Sequence, residues 1–395
     1  MKIALTCPAS LPATQFGGIL FLCVDIAREL AKSGHDIRIY TTDLDFANNP
    51  KTFSKKLPRL EKINGFEIAR SHVWFAVNLF YVNPGMYFRM MKYNPDIIHS
   101  IGARSFQALV AAIVAKRKKI PFVLSDQGGL TTHPDLAKSG ILKKLLYKMQ
   151  MPMIHFIINQ ATKISVGNEY EKEIFLKFCD DSKIIIVRNG INLDTMLVQK
   201  ADFRERYQIK DQFLLFVGRF NKVKGVDVLL NAINIIKDRP EMKDKILVIM
   251  GVDFGFESQM FKMIDELKIT NKVKVIKNPP REDVIAAYNE CKFLVLPSRW
   301  ELSPLTPLEG FAFKKPVISS DTHGIPYTVR DKENGLLIKP EDYKLLASAI
   351  IELLKSEEKC IEYGLAGYNL VHNVCNSKVM AENTLRIYQQ ILADI

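Results

Sequence analysis

Three short segments hold residue types at spacings that could bind an anionic leaving group. The densest is Pro297-Ser298-Arg299-Trp300-Glu301-Leu302-Ser303-Pro304-Leu305-Thr306-Pro307-Leu308-Glu309. A strand predicted over Phe293–Leu296 runs into a turn, and a helix is predicted from about Thr306, with Pro307 at its first position, where a missing N–H costs little. Free amides at such a helix start suit a diphosphate. Glu301 in the turn could face a sugar while Glu309, just inside the helix, meets a diol such as ribose. Thr306-x-x-Glu309 also fits a capping box, which needs no ligand.

The second segment, Phe216-Val217-Gly218-Arg219-Phe220-Asn221-Lys222-Val223-Lys224-Gly225, repeats the plan of strand, glycine turn and helix. Arg219 offers a planar fork and Lys224 a point charge, enough to neutralise two phosphates. Basic loop residues are also commonly just solvated. In the third, Gln15-Phe16-Gly17-Gly18, paired glycines let backbone amides approach a ligand where a Cβ would collide. The spacing is not GxGxxG, and a mobile turn is the plain alternative.

These segments need a scaffold, and the apolar pattern supplies one. Strands are predicted at Lys2–Thr6, Ile37–Thr41, Ile97–His99, Phe122–Leu124, Ile164–Val166 and Ile184–Val187, with helices at Gly18–Lys32 and Phe106–Ala115. The pattern restarts with a strand at Phe213–Val217, a helix at Val226–Ile236, and strands at Ile246–Met250, Val273–Ile276, Phe293–Leu296 and Pro316–Ser319. Near-continuous apolar strands alternating with helices predict parallel sheets covered on both faces. The fold class is therefore α/β: two Rossmann-like, doubly wound parallel-sheet domains with a cleft between them. The expected domains are 1–200 and 201–376. A final helix, 377–395, would pack back on the first domain. The polar stretch Lys200–Gln212 is the expected linker, and no repeat of solenoid length is present.

The chain has 395 residues, 48% of them hydrophobic and 25% charged, as in ordinary soluble proteins. No stretch approaches the roughly 18 unbroken apolar residues that span a bilayer, and Met1–Pro8 reads as a strand, not a secretory signal. Six cysteines form no CxxC pair, which points to reduced thiols and a cytoplasmic location. Residues 1–200 hold 27 Lys+Arg against 16 Asp+Glu, whereas 201–395 hold 28 against 27. The excess positive charge therefore sits in the first half and favours anionic partners. Without a zinc finger or an RNA-binding signature, no nucleic-acid partner is expected.

Together the segments resemble family 4 glycosyltransferases of the GT-B fold, over nearly the whole chain. The Glu301-x7-Glu309 pair in its Pro-Ser…Leu-Glu-Gly frame matches that family's main signature, and Gly218-Arg219 with Lys224-Gly225 its phosphate motif. Arg188-Asn189-Gly190-Ile191-Asn192, Gly17-Gly18 with Gly34-His35, and Glu333-Asn334-Gly335-Leu336-Leu337 match three further turns. The resemblance implies a retaining transferase that needs no metal and no cofactor beyond its nucleotide-sugar substrate, with the acceptor bound by the first domain and the nucleotide-sugar by the second. Arg219 and Lys224 would bind the donor diphosphate, Glu309 the ribose, and Glu301 the sugar. Amides around Ser303, Leu305 and Thr306 would hold the leaving phosphate, with Gly17 and Gly18 opposite it. A family histidine that faces the sugar is replaced by Asp126 or Gln127. The late acid of the family is lost at Tyr327, and Lys314 replaces a helix-ending glycine, at a cost of about 1 kcal/mol if it is left-handed. His133 and Asp43-Leu44-Asp45 are read as solvated loop residues.

The expected acceptor is a lipid-linked or polysaccharide glycan of the cell envelope. An apolar stripe, Ile141, Leu142, Leu145, Leu146 and Met149, runs beside Lys138, Lys143, Lys144 and Lys148. With Lys116–Lys119 and the aromatic run Phe75–Phe88, it suggests peripheral contact with the inner face of an anionic membrane. An ordinary core helix with a solvated charged face explains the stripe equally well. Other readings are a catalytically silent nucleotide-sugar-binding or membrane scaffold and a GT-B sugar-nucleotide epimerase.

Overall fold

In the computed structural model, residues 1–45, 52–77, 80–127, 130, 141–196 and 202–394 are described, and the side chains of 141–147 are left aside. The chain divides into two compact units, Met1–Gly190 with Ser377–Ile395, and Ile191–Asn376. The first crossing falls ten residues before the polar stretch Lys200–Gln212. Ile191, Met196, Phe203 and Ile209 are all buried in the core of the second unit, so hydrophobic burial assigns this segment.

The strands of the first unit are β1 (Lys2–Thr6), β2 (Asp36–Thr42), β3 (Leu60–Ile63), β4 (Phe66–Ser71), β5 (Phe75–Val77), β6 (Phe80–Val82), β7 (Ile97–Ile101), β8 (Phe122–Ser125), β9 (Lys163–Val166) and β10 (Ile184–Ile186). Eight form one sheet in the order β10-β9-β8-β7-β1-β2-β4-β3, parallel except for the β3–β4 pair, while β5 and β6 make a separate hairpin. The register aligns Ile3 with Ile37 on one side and Ile97 on the other, and β1 from Ile3 onward and the whole of β7 are buried. β3 through β6 had no counterpart among the expected elements. Leu60–Ile63 sets two charged residues between two apolar ones at the sheet edge, and the hairpin is only three residues deep.

In the second unit, β11 (Gln212–Val217), β12 (Lys245–Gly251), β13 (Val273–Lys277), β14 (Leu294–Leu296), β15 (Val317–Ser320) and β16 (Gly335–Ile338) follow. They form a fully parallel sheet in the order β13-β12-β11-β14-β15-β16. The order reverses between β11 and β14, the place where open α/β sheets bind ligands beyond their carboxyl ends. The helix predicted from Thr306 starts one residue earlier, at Leu305, and runs to Ala312. Pro307 is thus its third residue, a position where the backbone N–H is still unpaired. Past the end of that helix Lys314 adopts φ 56, left-handed, and its ammonium sits 4.9 Å over the Tyr368 ring. The cation–π contact offsets part of the cost.

Candidate functional site

Two loops meet at the carboxyl ends of β11 and β14. The Asn221 side chain accepts from Lys224 N at 3.1 Å and shapes the one-turn helix Lys222–Lys224. Gly225 follows with φ 71, and a Cβ there would lie 2.0 Å from Pro297 O. Only glycine permits so close an approach of the two loops. Arg299 then bolts them together: its backbone N donates to Val223 O at 2.7 Å, and its guanidinium takes both oxygens of Asp227 at 2.8 Å. A further bond to Glu341 at 3.0 Å completes the clamp. The sequence reading did not single out Arg299, although Asp227, the second residue of the next helix, is where a helix start favours an acid.

The clamp sets up one ion pair. Lys224 Nζ meets Glu301 Oε1, and Ser298 Oγ donates to the same oxygen at 3.1 Å. Both partners keep under a fifth of their side-chain surface, 19% and 18%, enough to face a pocket without dissolving into solvent. Thr306, Pro307 and Ser319 also line this pocket. Ser303 and Leu305, which alternate with the lining residues Pro304 and Thr306, are half-buried in the same turn. The Glu301 carbonyl accepts from Gly324 N at 3.0 Å, and the Trp300 and His323 rings lie 6.4 Å apart. No role was expected of His323. Burial lowers its pKa, so it stands beside the pocket as a neutral imidazole at pH 7. Arg219 is not among the lining residues; it is exposed, with its guanidinium 5.0 Å over the Phe254 ring.

Glu309 lies elsewhere in the helix and has its own partners. Arg281 Nη2 donates to Oε1 at 2.6 Å and the Tyr288 hydroxyl to Oε2 at 2.6 Å. The alternative capping box is not formed: the helix N-cap is Pro304 and no side chain caps it. Tyr288 is fully buried; burial first, then the Glu309 charge, raises its phenol well above the usual value, so it remains a donor. Arg281 and Tyr288 were missed. Their spacing of seven puts them on one face of the helix Arg281–Glu290, the only local signal that could have found them.

The first unit holds a second polar pocket. Gln127 and Asn189 pair their amides reciprocally at 3.2 and 3.1 Å, and both line it with His99, Ser125 and Thr384. Asp126 instead turns inward, its Oδ2 accepting from Leu130 N at 2.8 Å. His99 is 1% exposed, and burial pushes its pKa down to about 3. Its Nδ1 stands 2.6 Å from the Tyr388 hydroxyl and its Nε2 2.7 Å from Ser125 Oγ. With Tyr388 donating to Nδ1, Nε2–H donates to Ser125, so the neutral ring is satisfied on both sides. Gly17 has φ 101 and open space where a Cβ would go, and Gly18 starts the helix Gly18–Lys32. His133 and Lys138 lie outside the described residues, as do the side chains of Ile141, Leu142, Lys143, Lys144, Leu145 and Leu146; Met149 is 69% exposed.

One reading is overturned. Asp43 is no solvated loop residue: its side chain is 0% exposed. Asp43 Oδ2 meets His72 Nδ1 at 2.6 Å, Oδ1 accepts from Val73 N at 3.1 Å, and Arg59 Nη1 approaches within 3.6 Å. The following residue, Leu44, bridges Phe53, so the segment is paired and covered. Within the basic run, Arg117 bonds the Tyr87 hydroxyl and Lys118 holds the carbonyls of Met91 and Tyr93. Among the described residues no helix is long and apolar enough to cross a membrane.

Against known proteins, the model for "Glycosyl transferases group 1" matches residues 199–369 and that for "Glycosyltransferase Family 4" residues 16–195. An uncharacterized glycosyltransferase of Methanocaldococcus jannaschii is 29% identical over 270 residues, 67% of this chain and 66% of that one. The match thus spans just under two thirds of that relative's length. Among solved structures, sucrose-phosphate synthase from Thermosynechococcus elongatus superposes with a TM-score of 0.78 at 20% identity, covering 100% of both chains. Anabaena HepE in complex with UDP-glucose gives 0.75 at 15% identity, also over 100% of both. At these identities the two structures establish the fold.

Proposed function

The chain belongs to the group 1 glycosyltransferases of family 4, with the GT-B fold, and from that premise we propose that it moves a sugar, with retention of configuration, from a nucleoside-diphosphate sugar to a lipid-linked or polysaccharide acceptor of the cell envelope. The observation that carries the donor reading is the Lys224–Glu301 pair in a pocket at the carboxyl ends of β11 and β14. An incoming diphosphate takes Lys224 as its cation, which releases Glu301 to accept from hydroxyls of the sugar. Arg219 adds a second cation at the exposed edge. The amides from Ser303 to Thr306, at the start of an eight-residue helix, stabilise charge on the departing phosphate without a metal. Each such contact is worth roughly 2–4 kcal/mol in the transition state.

Glu309, immobilised by Arg281 and Tyr288, keeps further lone pairs with which to accept from the ribose hydroxyls. Gln127 lines a pocket whereas the Asp126 carboxylate is turned to the Leu130 amide, so Gln127 is the group we place against substrate. Gly17 and Gly18 leave uncovered backbone at a helix start for an approaching anionic group. HepE is solved with UDP-glucose, which makes UDP-sugars the first donors to try. Incubation with UDP-, GDP- and ADP-sugars, with and without envelope lipid extract, should show nucleoside diphosphate release that the extract stimulates. Absence of release from every donor would count against a transferase. Phe75 and Phe88, exposed in the first unit, together with its excess of basic residues, support peripheral membrane contact. Flotation with anionic liposomes at low salt tests it, and failure to float removes it.

A further inference from the structure

A cluster that the donor site does not use lies at the carboxyl ends of β2 and β4. Asp43 is one residue past β2 and His72 one residue past β4, and these strands are neighbours in the sheet. The Asp43 carboxylate is fully buried and grips both the His72 ring and the Val73 amide. Burying a carboxylate is costly, and here the bonds it makes fix a 29%-exposed imidazole in one orientation. With Nδ1–H donated to Asp43, Nε2 carries a lone pair, and it has no partner among the described residues. Two residues on, Trp74 N donates to Val82 O at 2.8 Å, so the loop is pinned on both sides. Yet the Trp74 side chain is 72% exposed. Three residues past the carboxyl end of β4, a large aromatic face thus stands in water on a pinned backbone.

The chemistry selects the ligand. Arg59 already faces the Asp43 carboxylate at 3.6 Å, so the cluster offers no spare cation to a phosphate and suits an uncharged ligand better. A sugar or cyclitol ring presents an apolar C–H face to an indole and hydroxyls that both donate to an imidazole nitrogen and accept from a guanidinium. A lipid surface would use the tryptophan but has no use for an imidazole held by a buried acid. We propose that Asp43, His72, Arg59 and Trp74 form a binding subsite for an uncharged ring polyol, the sugar or cyclitol ring of the acceptor. The assignment to the acceptor rests on the transferase reading above.

The chain contains two tryptophans, Trp74 here and Trp300 beside Glu301, so each site has its own fluorophore. In the full-length Trp300→Phe variant, Trp74 emission is titrated with myo-inositol and methyl α-glucopyranoside, with open-chain sorbitol as the control, each with and without UDP. Ring polyols should shift it saturably and sorbitol should not. His72→Phe should abolish the shift, and Asp43→Asn should weaken it about tenfold in the still-folded protein by releasing the ring. Should Asp43→Asn fail to melt cooperatively, His72→Gln, which keeps the carboxylate paired, serves in its place. No saturable response to either ring, an equal response to sorbitol, or a response unchanged in His72→Phe overturns the proposal. A blue shift on anionic vesicles with no polyol response overturns it too, in favour of a lipid surface. In Trp74→Phe, Trp300 reports UDP and UDP-glucose separately; silence there sinks the donor reading while leaving a Trp74 response intact.

Discussion

The pocket around Lys224 and Glu301 and the polar clusters of the first unit sit at equivalent strand ends but are assembled differently. In the second unit the working groups come from two contiguous runs, 218–225 and 297–309, locked loop to loop by Arg299. In the first, His99 bonds Ser125 and Tyr388, Gln127 pairs with Asn189, and Asp43 reaches His72, across separations of 26 to 289 residues. A diphosphate is bound by dense local charge and helix amides, which short motifs can encode. The groups of the first unit are brought together by the register of the sheet and, for Tyr388, by the final helix Ser377–Ala393.

The contrast can be broken most forcefully at Gly225. Gly225→Ala puts a Cβ against Pro297 O at φ 71 and should cost about 4 kcal/mol, lowering the melting temperature reported by Trp300. A change under 1 kcal/mol would mean the two loops are not held in this approach. The first unit is tested through pH. The pKa of His99 is lowered in the folded state, so the unfolded chain binds the extra proton. Stability is therefore complete above about pH 6.5 and declines as pH falls toward 3. At pH 5 the loss should reach about 2 kcal/mol, and His99→Gln should flatten that acid limb in denaturant titrations. Parallel pH profiles for the two proteins would place the proton elsewhere.

Smaller effects sharpen the comparison. Tyr288→Phe removes one donor from Glu309 and should weaken nucleotide binding about tenfold by calorimetry, with little change in stability measured at Trp74. Smallest is Lys314→Gly, which relieves a left-handed backbone and should stabilise the chain by less than 1 kcal/mol, since the contact with Tyr368 is lost. Destabilisation there would show that the cation–π contact outweighs the backbone strain.

What could be read from the residues follows the same division. Parallel strands such as Phe213–Val217 and Ile246–Met250 were legible because both faces are buried and the apolar run is unbroken. Glu301 with Lys224 was legible because each closes a strand–turn–helix motif. Edge strand Leu60–Ile63 was not, since half of its positions face water, and the Asp43–His72 pair was not, because two acids around a leucine look solvated until β4 is placed beside β2. Arg281 and Tyr288 share one face of their helix, but that spacing alone does not point to Glu309, which lies on a different helix.

The most direct measurement is calorimetric titration of wild type and Lys224→Ala with UDP and UDP-glucose, with the GDP and ADP counterparts run alongside. At least one diphosphate should bind wild type and lose about a hundredfold in affinity, roughly 3 kcal/mol, when the Nζ partner of Glu301 is removed. Equal affinity in the two proteins for every nucleotide that binds would contradict a donor diphosphate held at Lys224.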